Sequence, residues 1–201
     1  MGMPEELLKG LTDLPVAIVA IICGLLLYNK KDKEHHDSGM FFLVAFCAIF
    51  GIVVHSFKMS TKLNAILWGI LYLFLYELVG TFSVELVKLC TGKDVKAKGF
   101  IHLLEVICCI ASWVCLYKAN DIDIYIFVFF AAVALIDCLI DIKRQGKFNI
   151  LAIFLFIFAI LAMLAQGLKT IIPHGVAIGH IFLIFAEIML FLLAKKHKKR
   201  L

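Results

Sequence analysis

The sequence predicts an all-α integral membrane protein, a bundle of seven transmembrane helices with its N-terminus outside and its C-terminus in the cytoplasm. Three observations predict it. Apolar residues fill 63% of the 201 positions, more than a soluble domain of this length has interior to hide. The charged residues, 17% of the chain, gather in short clusters between long apolar runs. The Lys and Arg residues also fall unevenly on the two sides that alternate membrane crossings create.

About 20 helical residues, rising about 1.5 Å each, cross about 30 Å of hydrocarbon. The first run of that kind, Leu7–Tyr28, follows MGMPEELLKG, which lacks the basic start of a secretory signal and is expected to remain in the mature chain. The polar stretch Asn29–Gly39 separates it from the second, Met40–Phe57, and Lys58 and Lys62 separate that from the third, Leu63–Leu89. Thr91–Gly99 precedes the fourth, Phe100–Tyr117, which Lys118 closes. The fifth, Ile122–Ile142, stops at Lys143 and Arg144; the sixth is Phe148–Leu168. Pro173–Gly175 introduces the seventh, Val176–Ala194, which ends in KKHKKR. None of the runs has the alternating polarity of barrel strands, so each must satisfy its backbone as a helix. Together they form one domain over residues 1–201.

Direction follows from the basic residues. The N-terminus and the second, fourth and sixth loops hold Lys9, Lys58, Lys62, Lys118 and Lys169, and the other fifteen of the twenty Lys and Arg lie on the opposite side. Short loops rich in Lys and Arg stay in the cytoplasm, which puts the N-terminus outside. The net charge of +5 therefore reports orientation rather than nucleic-acid binding. The basic tail reads first as a topology anchor, with anionic lipid heads as its alternative partner. The compact loops suit a plasma-membrane location. Seven cysteines, odd in number and without a C-x-x-C pair, read as small buried hydrophobes.

Ionisable side chains at membrane depth cost about 2.5–3.5 kcal/mol each on insertion scales and call for a reason. One group collects at the outer side: Asp13 in the first run, His55 and Ser56 closing the second, Gln166 late in the sixth, and His174 and His180 opening the seventh. A carboxylate and imidazoles are zinc ligands. His174 and His180, six apart, stand about 120° apart on a helix, so they cannot chelate side by side. The metal reading therefore rests on His55 and His180, with Asp13 as ligand or base and His174 leaning in from the turn. Against it, Asp13 in T-D-L-P equally reads as the N-cap of a helix starting at Leu14, and His55 as an interfacial hydrogen-bonding residue. A second group lies between mid-membrane and the inner face: Glu77, Glu85, His102, Glu105, Asp137 and Glu187. It reads as neutral acids bonding between helices, helped by Thr81 and Ser83, or as a proton or cation path.

The segments GIVVHSF (Gly51–Phe57) and PHGVAIGHIFLIF (Pro173–Phe185), with seven spans and an outside N-terminus, resemble the CREST superfamily of alkaline ceramidases, adiponectin-receptor-like and hemolysin III-like membrane proteins. LTDLP (Leu11–Pro15) is similar to the opening of some bacterial relatives. The resemblance implies a zinc between the second and seventh helices and hydrolysis of a lipid amide. His55 and His180 match the family's histidines; Gly51 stands where the family has Ser, Val176 where it has a further His, and Leu63–Leu73 lacks the family's Asp. His174 and Asp13 are the candidate replacements.

The leading expectation is thus a zinc-dependent membrane hydrolase of a lipid amide or ester, with His55, His180 and His174 on the metal and Asp13 and Ser56 as catalytic residues. The alternatives are a small proton- or ion-coupled transporter or channel using the inner carboxylates, and a non-catalytic seven-helix scaffold or receptor.

Overall fold

A computed structural model of the protein describes residues 5–28, 36–57, 60–92, 99–118, 122–145, 149–168 and 171–198. The described residues form seven α-helices: α1 (Glu5–Leu27), α2 (His36–Ser56), α3 (Thr61–Thr91), α4 (Gly99–Tyr117), α5 (Asp123–Arg144), α6 (Ile150–Gly167) and α7 (Gly175–Lys198). All seven are long and apolar enough to cross a membrane, which makes this a multi-pass membrane protein. Large apolar side chains such as Leu26, Leu103, Ile110 and Ile136 face outward on every side, as lipid-facing helices require.

Local chemistry sets several of the ends. Ser60 accepts the Leu63 amide and starts α3, and Gly92, at φ 71°, stops it in a left-handed turn that bonds back to the Lys88 carbonyl. Asn149 accepts the Leu151 amide ahead of α6. The start of α1 departs from one expectation. Asp13 does not cap a helix beginning at Leu14; α1 runs through Asp13 and Pro15 without a break. Two turns of helix already precede the proline, and the bundle's packing outweighs the one bond that Pro15 cannot donate.

Neighbouring helices run antiparallel, and their side-chain contacts show it. Gly10 near the start of α1 meets Ser56 at the end of α2, and Gly69 early in α3 meets Trp113 late in α4. α1 and α7 run parallel, starting together at what we call the near end of the bundle; α3 and α5 also start there, and α2, α4 and α6 finish there. The tightest pairing, α1 on α2, rests on small residues spaced seven apart in α1: Gly10, Ala17 and Gly24. A Cβ on Gly24 would stand 3.0 Å from the Phe42 ring, so the helix backbones approach where side chains are missing. Ala45, Ala48 and Gly51 offer the matching low surface on α2.

The core is thickest toward the far end, where Phe41, Leu86, Ile142, Leu155 and Leu193 pack from five different helices. A second cluster joins α3, α4 and α5 through Tyr72, Tyr76 and Phe130. Its polar atoms are satisfied: Tyr72 donates to Asp123 Oδ2 at 2.7 Å, Tyr76 pairs with Ser112 at 2.8 Å, and Ser112 donates to the Asp123 carbonyl at 3.3 Å. Interhelical bonds of this kind in membranes are worth about 0.6–1.7 kcal/mol. Tyr72→Phe is accordingly expected to lower unfolding stability in bicelles by that amount while leaving the helix content unchanged. The cysteines are all free thiols, five buried and Cys109 and Cys115 half-buried.

Candidate functional site: an acid–imidazole pair between the first and seventh helices

Five residues into α7, counting from its first turn, His180 points into the seam with α1. Asp13 faces it from α1, with His180 Nε2 3.3 Å from Asp13 Oδ1. Both side chains are 9% exposed. The other ring nitrogen, Nδ1, lies 2.9 Å from the Thr12 hydroxyl. Consecutive residues of one helix thus hold the two edges of a single imidazole.

The remaining neighbours explain how the carboxylate fits. A Cβ on Gly51 would stand 2.8 Å from Asp13 Oδ2 and 3.2 Å from its Cγ, so α2 makes room for the carboxyl only because residue 51 has no side chain. On the other flank, Gly179 lets the Gln166 side chain of α6 lie across α7, where a Cβ would meet Gln166 Cγ at 2.7 Å. Asp13 Oδ2 is buried with no hydrogen-bond partner among the described residues. Burying a polar atom without a partner costs about 1–3 kcal/mol, so this oxygen is a marked feature of the site.

The other residues expected at this end are placed differently. His55 is half-buried one turn beyond Gly51, edge-on to Trp68 at 5.0 Å between ring centres and close enough to His180 to act on it electrostatically. Ser56 packs on Gly10. His174 sits exposed in the turn before α7 with φ 57°, its carbonyl taking the first helical bond from the Ile178 amide.

The donor set meets one part of what a zinc requires. Bonds of about 2.0–2.2 Å to a tetrahedral zinc set its ligand atoms about 3.3–3.5 Å apart, and the His180–Asp13 contact matches that separation. A catalytic zinc takes three protein ligands, however. Among the described residues no three His, Cys, Asp or Glu side chains come together in a way that could hold a metal. The expected set of His55, His180 and His174 is not assembled, because His174 is in the exposed turn and His55 is packed on Trp68.

What the pair can do without a metal follows from hydrogen-bond roles. With the proton on Nε2, His180 donates to Asp13 and the Thr12 hydroxyl can donate to Nδ1. With the proton on Nδ1, the ring donates to Thr12, and a bare nitrogen faces Asp13, which must then carry the proton itself. The second arrangement holds one proton more than the first, the one on Asp13, and the ring proton has moved from Nε2 to Nδ1. An imidazole held at both nitrogens can take a proton on one edge and release it from the other.

The same face of α7 continues inward to Glu187, seven residues and about 10 Å further along. Glu187 is 4% exposed, and neither carboxyl oxygen has a partner among the described residues. It lies within electrostatic reach of Cys23, on the α1 side of the seam. The sequence grouped it with five other inner ionisable residues, and the structure divides them. Glu85 and Glu187 are buried, Asp137 is half-buried, and Glu77 and His102 are exposed, with Glu105 between them. Thr12 and Gly51 were not singled out as members of the site. The only sequence signal for Thr12 is its place beside Asp13, and Gly51 shows only as a missing serine.

The fold and site together define a multi-pass membrane protein, seven helices among the described residues, with an Asp–His pair buried between α1 and α7. Comparison with protein-family models, curated proteins and solved structures finds no match to the chain.

Proposed function

We propose that this chain moves protons within the membrane, as a small proton-coupled transporter. The observation that carries the reading is the dry Asp13–His180 pair, continued by the buried, unpartnered Glu187 on the same face of α7. Ionisable groups at membrane depth are maintained mostly where they relay protons or bind ions, and acid–imidazole chains are a recurrent form of such a relay. Asp13 receives a proton from the near end. His180 takes it at Nε2 and gives up the proton on Nδ1, past the Thr12 hydroxyl that holds the ring in register, and Glu187 is the next acceptor, reached through water when the helices part. The 15-to-5 division of Lys and Arg supports a near end that faces outside the cell, and the compact loops suit the plasma membrane.

Purified protein in liposomes containing a trapped pH-sensitive dye tests this. A potassium diffusion potential is expected to drive acidification, and His180→Ala and Asp13→Asn are each expected to reduce the rate at least tenfold while the protein remains monodisperse. Wild-type liposomes that acidify no faster than empty ones, with and without candidate small-molecule substrates, would overturn the proposal.

One observation favours a second reading, the zinc-dependent lipid hydrolase that the family resemblance implies: the buried Asp13 Oδ2 beside His180 is a carboxyl oxygen with no hydrogen bond to hold its lone pairs. Metal analysis separates the two. About one zinc per chain, lost in both His55→Ala and His180→Ala, would favour the hydrolase.

A further inference from the structure

The side chains of Glu77, His102 and Glu105 form a polar patch on the outside of the bundle, where lipid is expected. Glu105 Oε2 lies 3.2 Å from His102 Nδ1, and Glu105 lies within electrostatic reach of Glu77, which in turn accepts the Thr81 hydroxyl at 3.2 Å. The cluster sits tightly on α3, since a Cβ on Gly80 would stand 3.0 Å from Glu105 Oε2. It is not enclosed: Glu77 is exposed and the His102 side chain is 55% exposed.

Its depth can be read from the register of α3 on α4. Tyr76 is level with Ser112, and Gly80 with Glu105, so Glu77 stands near the midpoint of the 19-residue α4. Glu105 lies about 9 Å in from the α4 start. Both carboxyls are therefore at hydrocarbon depth. The surface around them is apolar, with Leu73 at 58%, Leu103 at 61% and Val106 at 55% exposure. α4 is also the span with the smallest buried share, 22%. Ionisable groups in such a setting almost always face protein or water rather than lipid.

We infer that the α3–α4 face is a homodimer interface, in which a second copy of this chain covers Glu77, His102 and Glu105. The argument is self-complementarity. A two-fold interface sets one patch against itself, so a residue meets its counterpart's neighbours reciprocally. A patch that carries both carboxyls and an imidazole supplies acceptors and donors to its own copy, and His102 of each protomer can reach the acids of the other. A patch of carboxyls alone would repel itself. The apolar rim of Leu73, Leu103 and Val106 packs around that centre, and polar groups bonded across helices are a recognised source of association in lipid.

Fluorophore-tagged full-length chain, diluted in liposomes and counted by single-molecule photobleaching, tests the inference. Two-step bleaching is expected for wild type. Glu77→Leu combined with His102→Leu, which leaves an apolar lipid-facing surface able to insert and fold, is expected to weaken association at least tenfold and shift the counts to one step. Ile153→Ala, on the exposed face of α6, is expected to leave the dimer intact. Wild type that bleaches in one step, including wild type that carries a co-purified lipid on this face, would overturn the inference. So would a dimer that survives the double substitution.

Discussion

Glu187→Met is expected to abolish proton flux and, at the same time, to make the protein more stable. Glu187 is 4% exposed among Ala186, Leu190 and Cys23, and both of its oxygens lack a partner among the described residues. An unsatisfied buried polar group costs about 1–3 kcal/mol, and an apolar side chain of similar length recovers it. Stability in bicelles should therefore rise by about that amount, while the liposome acidification rate falls to that of empty liposomes. The opposite sign for stability would mean that Glu187 makes a structural bond, and it would remove the second station from the proposed route. Functional groups kept at a cost in stability are a common trade in enzymes and transporters.

Gly51→Ala comes next in size. The new Cβ has its place 2.8 Å from Asp13 Oδ2, closer than real Cβ contacts come, so either the carboxyl swings away from His180 or α2 retreats from α1. Overpacking of this kind costs about 1–3 kcal/mol. The carboxyl is easier to move than a packed helix, and its swing parts the Asp13–His180 contact, so flux is expected to fall at least tenfold. Gly39→Ala is the control, since nothing lies within 4 Å of its added methyl, and it should alter neither stability nor flux. Normal flux in Gly51→Ala would show that the carboxyl position is not critical.

Much of the architecture was legible in the sequence, and the reasons are physical. Seven apolar runs between charged clusters have few other solutions in a bilayer, and the helices begin and end within a few residues of the expected spans; Phe148, where the sixth was expected to start, lies outside the described residues. Of the two readings of Asp13, the cap fails and the span from Leu7 holds: T-D-L-P is a strong local start signal, but the helix begins nine residues before Leu14, at Glu5. The convergence of Asp13 and His180 was readable from the crossing pattern, since both come early in helices that run in the same direction. Their rotation about the helix axes was not. For the same reason the sequence could not separate Glu77 from Glu187: both sit among apolar residues, and only the packing shows that one faces outward and the other the core. Periodicity was a weak guide because lipid-facing and buried positions are equally apolar here.

Pro15 has a mechanical consequence for the site. It cannot donate to the Leu11 carbonyl, so α1 is missing one rung just two residues past Asp13. Helices bend most readily at such a gap. The first turns of α1, which carry Thr12 and Asp13, are seated on α2 through Gly10 and the rest of the helix through Ala17 and Gly24, so a bend at Pro15 has to lift Gly10 off Ser56. A tilt at that hinge would draw the acid and the hydroxyl away from His180 together, opening the imidazole to water in a single movement.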